Sequence, residues 1–213
     1  MTLFIFIFEI IGTIAFAISG AITGLRKNMD IFGVCILGLT TAVGGGIIRD
    51  LILGITPPAA FRDPTNALLA IAISLIIFIR GIRKLLFGNR RVYEQLMLIS
   101  DAAGLGIFTV CGARVAIEAG FGGSIFLTVF VAVLTGVGGG VIRDLFAGDR
   151  PQIFVKHIYA CAALAGALLC VLLWNHMGQS VSMLAGFALV VIIRLLAAHF
   201  RWSLPKAHEF SRQ

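Results

Sequence analysis

The segment VGGGIIRDL at Val43–Leu51 returns 94 residues later as VGGGVIRDL at Val137–Leu145. Each copy sets three consecutive glycines and an Arg-Asp pair inside a stretch apolar enough to span a membrane. Lipid offers no water to hydrogen-bond free backbone, and a charge there is costly. Helix-breaking residues and ionisable side chains are therefore kept in a span only where they face protein or a cavity. Two copies mean an internal duplication, and they point to a pathway through the membrane.

Composition agrees. Of the 213 residues, 59% are hydrophobic and 13% charged, whereas a soluble domain carries about a quarter charged residues. At about 20 residues per span, seven helices are expected, near 2–25, 31–54, 64–84, 93–117, 123–147, 153–174 and 179–199. Pro57-Pro58, Gly88-Asn89, Gly120 to Gly123, Asp149 to Pro151 and Asn175 to Gly178 supply breakers between them. The N-terminus lacks a basic n-region and Glu9 interrupts its apolar run, which argues against a cleaved signal peptide. The fold class is an all-α membrane protein.

Seven spans place alternate loops on opposite sides. The loops after the first, third and fifth spans, with the C-terminal tail, hold thirteen Lys and Arg; the other side holds only Arg62. Arg49, Arg114 and Arg143 remain within spans. This bias puts the N-terminus outside and the C-terminus in the cytoplasm. The formal charge of +7 is then a topology signal, and no nucleic-acid partner is implied.

The duplication extends beyond the glycines. Glu9, Gly12 and Phe16 to Ala21 line up with Asp101, Gly104 and Phe108 to Ala113, at a spacing of 92. Leu51, Gly54 and Pro57 match Leu145, Gly148 and Pro151 at a spacing of 94. Repeat one covers about 2–87 and repeat two about 93–175. The extra helix is 179–199 and the cytoplasmic tail 201–213. Three spans per unit force the second copy to cross in the opposite sense. These are inverted repeats about an axis in the membrane plane, and their glycine triplets meet near the midplane.

Two readings of Gly44, Gly45, Gly46, Gly138, Gly139 and Gly140 stand. Small residues let membrane helices pack closely. Alternatively the triplets unwind and turn carbonyls toward a partly dehydrated cation; with Arg-Asp alongside, the second is the preferred expectation. Thr40, Thr41, Thr135 and Ser19 are pathway candidates, although threonine back-bonding to its own helix is an equal prospect. Depth counting pairs Glu9 with Arg49 and Asp101 with Arg143. Asp50 and Asp144 are left to cap backbone or face the pathway. The arginines projecting into the pore as plugs is the alternative. Asp30 reads as a helix N-cap, Arg114 and Glu118 as an i,i+4 pair, and Tyr159, Trp174 and Trp202 as interfacial anchors. Cys35, Cys111, Cys161 and Cys170 read as buried apolar groups. No nucleophile–base pair, metal-ligand spacing or phosphate loop emerges, so neither an enzyme nor a bound cofactor is expected beyond a permeant monovalent cation near the glycines.

The pattern ExxGxxxFAISGA, DxFG at Asp30–Gly33, GGGIIRDLxxGxxP, then DAAGLGxFxxxGA and TGVGGGVIRDLxAGxxP, resembles the prokaryotic TRIC (trimeric intracellular cation) channels, a family that also carries a glycine-transporter domain name. The resemblance covers about residues 5–200. It implies a homotrimer of seven-helix protomers in the bacterial inner membrane. It also implies an hourglass pore within each protomer, lined by second and fifth helices kinked at the glycines and permeable to potassium. Animal members bind phosphoinositide through a basic motif near the second glycine region, where this chain has GVIRDL instead. The competing function is a secondary transporter of a small zwitterion such as glycine, because inverted repeats also build transporters.

Overall fold

The computed structural model describes residues 3–155 and 158–202. The chain is an all-helical membrane protein. Its elements are α1 (Leu3–Arg26), α2 (Ile31–Ile52), α3 (Ala59–Arg62), α4 (Thr65–Phe78), α5 (Arg80–Gly88), α6 (Arg90–Ala116), α7 (Ile125–Phe146), α8 (Gln152–Val155), α9 (Ile158–Met177) and α10 (Gln179–His199). A π-helical turn, Ile117–Phe121, extends α6. Among the described residues, six helices are long and apolar enough to cross a membrane: α1, α2, α6 with its π turn, α7, α9 and α10.

The third expected span differs. It breaks at Ile79 (φ −57°, ψ 133°) into α4 and α5. α4 has 14 residues, or about 21 Å at 1.5 Å per residue. The break falls where the sequence turns from IIFI to RGIRK. Beyond it Ile82 and Leu86 pack inward beside Ile22, Val34 and Ile77, while Arg80, Arg83 and Lys84 stay exposed. Charge ends the continuous apolar run, and an amphipathic helix follows.

The helix starts follow local chemistry. Asp30, Ser124 and Asn89 accept hydrogen bonds from the backbone N–H groups of Gly33, Leu127 and Arg91, capping α2, α7 and α6. α1, α2, α6 and α7 pack at the centre. α4 lies against α1 and α2, and α9 lies against α6 and α7. Leu3, Phe6, Phe126, Phe130, Leu172 and Ile192 are among the exposed large apolar side chains. An outer surface of this kind suits contact with lipid.

The two copies meet reciprocally. A methyl group added at Gly45 would strike the carbonyl oxygen of Thr135, and one at Gly139 would strike that of Thr41. Gly44 lies against the Ile142 side chain and Gly138 against that of Ile48. Phe16 and Phe108, matched positions themselves, pack with their ring centroids 5.2 Å apart and their planes tilted by 30°. These glycine contacts thus recur with the copies exchanged.

The glycine triplets do not unwind. α2 and α7 run as unbroken helix through Gly44–Gly46 and Gly138–Gly140, against the preferred expectation. The physical reason is the crossing itself. With no Cβ at 45 or 139, backbone approaches backbone, and both helices keep their own hydrogen bonds where water is absent.

Candidate functional site: two charged clefts

The repeated GGGxIRDLxxGxxP motif builds the same device at each end of the bundle. Arg49 folds back onto its neighbour, with Nε 2.8 Å and Nη2 2.7 Å from Asp50 Oδ1. Arg143 does likewise, at 2.9 and 2.8 Å from Asp144 Oδ1. The second carboxylate oxygen of Asp50 accepts the N–H of Ala59 at 2.8 Å, and that of Asp144 accepts the N–H of Gln152 at 2.8 Å. Gly54 (φ 71°) and Gly148 (φ 67°) turn the chain in the left-handed region that favours glycine. Each aspartate thereby ties the end of a central helix to the segment beyond its turn, in keeping with the expected backbone capping.

A cleft of about 320 Å³ opens at the end where α1 begins and α2 finishes. Glu9, Thr13, Gly46, Arg49, Asp50, Phe108, Cys111 and Arg114 contribute to its walls. The expected Glu9–Arg49 pair is not formed. Glu9 Oε1 instead accepts from Arg114 Nη2 at 3.0 Å, and Arg114 also approaches Glu118 at 3.3 Å. Arg114 reaches from α6 across to α1, so the acid is already neutralised. Arg49 is satisfied by Asp50.

A larger cleft, about 650 Å³, opens at the opposite end. Thr23, Arg26, Met97, Asp101, Asp144, Asp149, Arg150 and Arg194 are among the residues that border it. Here the second depth-matched pair is present. Arg143 Nη1 donates to Asp101 Oδ1 at 2.6 Å and to Ser19 Oγ at 2.5 Å. Arg194 Nη2 stands 3.6 Å from Asp101 Oδ2, and its guanidinium lies 4.7 Å from the Tyr159 ring centroid. The Tyr159 hydroxyl donates to Asp101 Oδ1 at 3.4 Å. Tyr159 is buried, not an interfacial anchor. Arg194 is also buried, although it counted among the cytoplasmic cations. Their apolar neighbours in sequence give no hint of either role.

At the mouth of this cleft Asp149 binds Arg26 and, at 2.5 Å, Lys27. The hydrogen bond from Lys27, with the charge of Arg26, holds the Asp149 carboxyl below the usual carboxylate range.

The remaining candidates are placed as follows. Thr40, Thr41 and Thr135 donate to the carbonyls of Ile36, Leu37 and Val131 at 2.8, 2.5 and 2.6 Å. Their hydroxyls are thus engaged by their own helices. Gly46 faces the smaller cleft, and Gly140 faces the Tyr159 hydroxyl. Among the described residues no group of three or more His, Cys, Asp or Glu side chains is placed to hold a metal ion. His157, His208, Lys156, Lys206 and Arg212 lie outside the described residues, as does the tail beyond Trp202.

A duplicated helical bundle with a charged cleft at each end defines an integral membrane protein of the permeation type. The glycine-transporter family model matches it twice, at residues 6–81 and 98–175. A UPF0126 membrane protein of Deinococcus radiodurans is 42% identical, over 92% of this chain and 89% of that one. The UPF0126 inner membrane protein YadS of Escherichia coli K12 is 36% identical, over 92% and 93%. A structure bearing on conductance through TRIC cation channels superposes with a TM-score of 0.85 at 37% identity, covering 97% of this chain and 98% of that one. The TRIC trimeric intracellular cation channel orthologue from Rhodobacter sphaeroides gives 0.84 at 31% identity, covering 94% and 100%. The chain belongs to the TRIC/UPF0126 family of membrane proteins.

Proposed function

We propose that this chain is a monovalent cation channel, permeable to potassium, that conducts through each protomer between the Glu9 cleft and the Asp101 cleft. The observation that carries the reading is the pair of charged clefts at opposite ends of α2 and α7, with the Gly45–Gly139 crossing between them. A wide, wet vestibule on each side leaves a short barrier, which is the economical shape for conduction down a gradient. The likeness to solved TRIC cation channels supports the cation, and the Rhodobacter sphaeroides orthologue supports the homotrimer.

In this reading α4 with α5 completes a seventh span. Repeats 2–87 and 93–175 are inverted copies, a view supported by the reciprocal glycine contacts and the two family-model matches. The N-terminus and the Glu9 cleft face outward; the Asp101 cleft and the C-terminus face the cytoplasm. The YadS likeness supports the bacterial inner membrane. The gap between the clefts is shut by packed backbone and the Phe16–Phe108 pair, so conduction requires α2 and α7 to part there. Glycine and threonine carbonyls at the crossing are then the groups nearest a passing ion.

The family model's glycine-transporter description favours one competing reading, uptake of glycine. Purified protein in liposomes separates the two. Potassium efflux down its gradient, with no accumulation of labelled glycine, is expected. Glycine accumulation without potassium flux would overturn the channel.

A further inference from the structure

The break between α4 and α5 opens a third cleft, of about 890 Å³, whose walls combine apolar Leu25, Met29 and Phe78 with cationic Arg26, Arg80, Arg83 and Lys84. No acidic side chain among the described residues borders it. Among the described residues, no carboxylate forms an ion pair with Arg80, Arg83 or Lys84. Arg83 lies over the Phe78 ring, 6.0 Å from its centroid, and three cations without a carboxylate partner beside apolar surface form a strong local field for one anion. The backbone adds to it. Ile79 heads α5 and has no side chain able to cap the N–H groups of its first turn, and no acid lies in that turn. Uncapped first-turn N–H groups are suited to an anion.

The surroundings decide which anion. The cleft lies where an apolar helix ends, and Leu75, Ile76 and Ile79 project outward beside it, with Ile79 56% exposed. A ligand that fits both halves carries a phosphate at its head and hydrocarbon beneath. We infer that this cleft seats the headgroup of an anionic phospholipid, its phosphate between Arg80, Arg83 and Lys84 and its acyl chains along Leu75 and Ile76. Arg26 borders this cleft as well as the Asp101 cleft, where it holds Asp149. A bound phosphate therefore competes with Asp149 for Arg26 and connects the lipid seat to the mouth of the larger vestibule. The site does not depend on which ion the protein conducts.

Native mass spectrometry of the full chain released from detergent tests the site, with phosphatidylglycerol, phosphatidylcholine and water-soluble glycerol phosphate titrated separately. Phosphatidylglycerol retention is expected to exceed that of phosphatidylcholine. A triple variant Arg80→Gln, Arg83→Gln, Lys84→Gln should weaken it by about tenfold or more, since each juxtamembrane cation contributes to anionic lipid attraction. Arg90→Gln with Arg91→Gln, a nearby charge change outside the cleft, should leave retention intact. Lys84→Arg should also preserve it, which guards against a fold defect in the triple variant. Equal retention by the triple variant, or equal retention of both lipids, overturns the proposal. Glycerol phosphate binding as tightly as the lipid makes the site one for a free anion and equally overturns the lipid assignment.

Discussion

The two Arg-Asp copies are identical in sequence and nearly identical in local geometry, yet their arginines have different surroundings. Arg143 is wholly buried, donates to Asp101 and Ser19, and pairs with Asp144. Arg49 is held by Asp50 and borders the smaller cleft. The difference comes from two substitutions between the copies and one cation from outside them. Ser19 corresponds to Cys111, a poor acceptor for a guanidinium. Ile22 corresponds to Arg114, which takes Glu9 for itself. Asp101 faces a second cation, Arg194, supplied by α10, which has no counterpart in either copy. A duplicated motif fixes its own turn, while the rest of each cleft is set by residues that diverged.

The sharpest way to break this comparison is to remove each arginine in turn. Arg143→Met takes a cation from two buried carboxylates at once, leaving Asp101 with Arg194 and Tyr159 and Asp144 with the Gln152 N–H, and stability should fall by about 3–5 kcal/mol, as for a buried pair that loses one partner. Arg49→Met takes the cation from Asp50 alone, and Arg49 is itself less deeply buried than Arg143, so the loss should be less than half as large. Thermal denaturation of the purified variants in detergent measures both. Equal losses would show that the two ends are energetically alike.

The glycine crossing should respond in the opposite way, because there the copies are equivalent. Gly45→Ala and Gly139→Ala each push a methyl group against a carbonyl of the facing helix. Each should cost about 1–3 kcal/mol by overpacking, with nearly equal values in the same denaturation assay. Alanine tolerated at either position would mean that the helices stand further apart there.

The smallest effect belongs to the ion pairs at the larger cleft's mouth. Asp149 has a depressed pKa, so it stays ionised, and tied to Arg26 and Lys27, throughout the neutral range. Its stabilising contribution is present above the ordinary carboxylate pKa and is lost as pH falls through the lower folded value. Asp149→Asn should change the neutral-pH melting temperature only slightly, because the pair is partly solvent-exposed, and should flatten the acid limb of stability against pH. An unchanged acid limb would remove Asp149 from the account.

Much of this was legible in the sequence, and the rest was hidden for identifiable reasons. The repeats and most of the spans follow from spacing and hydropathy. The Asp101–Arg143 pair follows from depth counting. Depth does not give rotation about the helix axis, however, and it was rotation that turned Glu9 toward Arg114, 105 residues away. Triple glycine is compatible with unwinding or with close approach, and only the facing Thr41 and Thr135 carbonyls decide between them. The break at Ile79 falls at the last residue of the apolar run, within the expected span 64–84, and span length alone does not show that the helix ends there. Tyr159 and Arg194 resemble an interfacial aromatic and a topology-setting cation, and both are buried against Asp101.

In the proposed channel α2 lines a path open to water from the Glu9 end. Gly46 has room for a side chain, its nearest neighbour being Arg49 at 3.8 Å. Gly46→Cys, made after the 4 native cysteines are replaced by alanine, is to be recorded in a planar bilayer under a potassium chloride gradient. A membrane-impermeant cationic thiosulfonate is applied to each face in turn. The account predicts a cation-selective current that falls when the reagent is on the Glu9 side and is unaffected from the other. A current untouched from both sides, or one that reverses at the chloride potential, would contradict it.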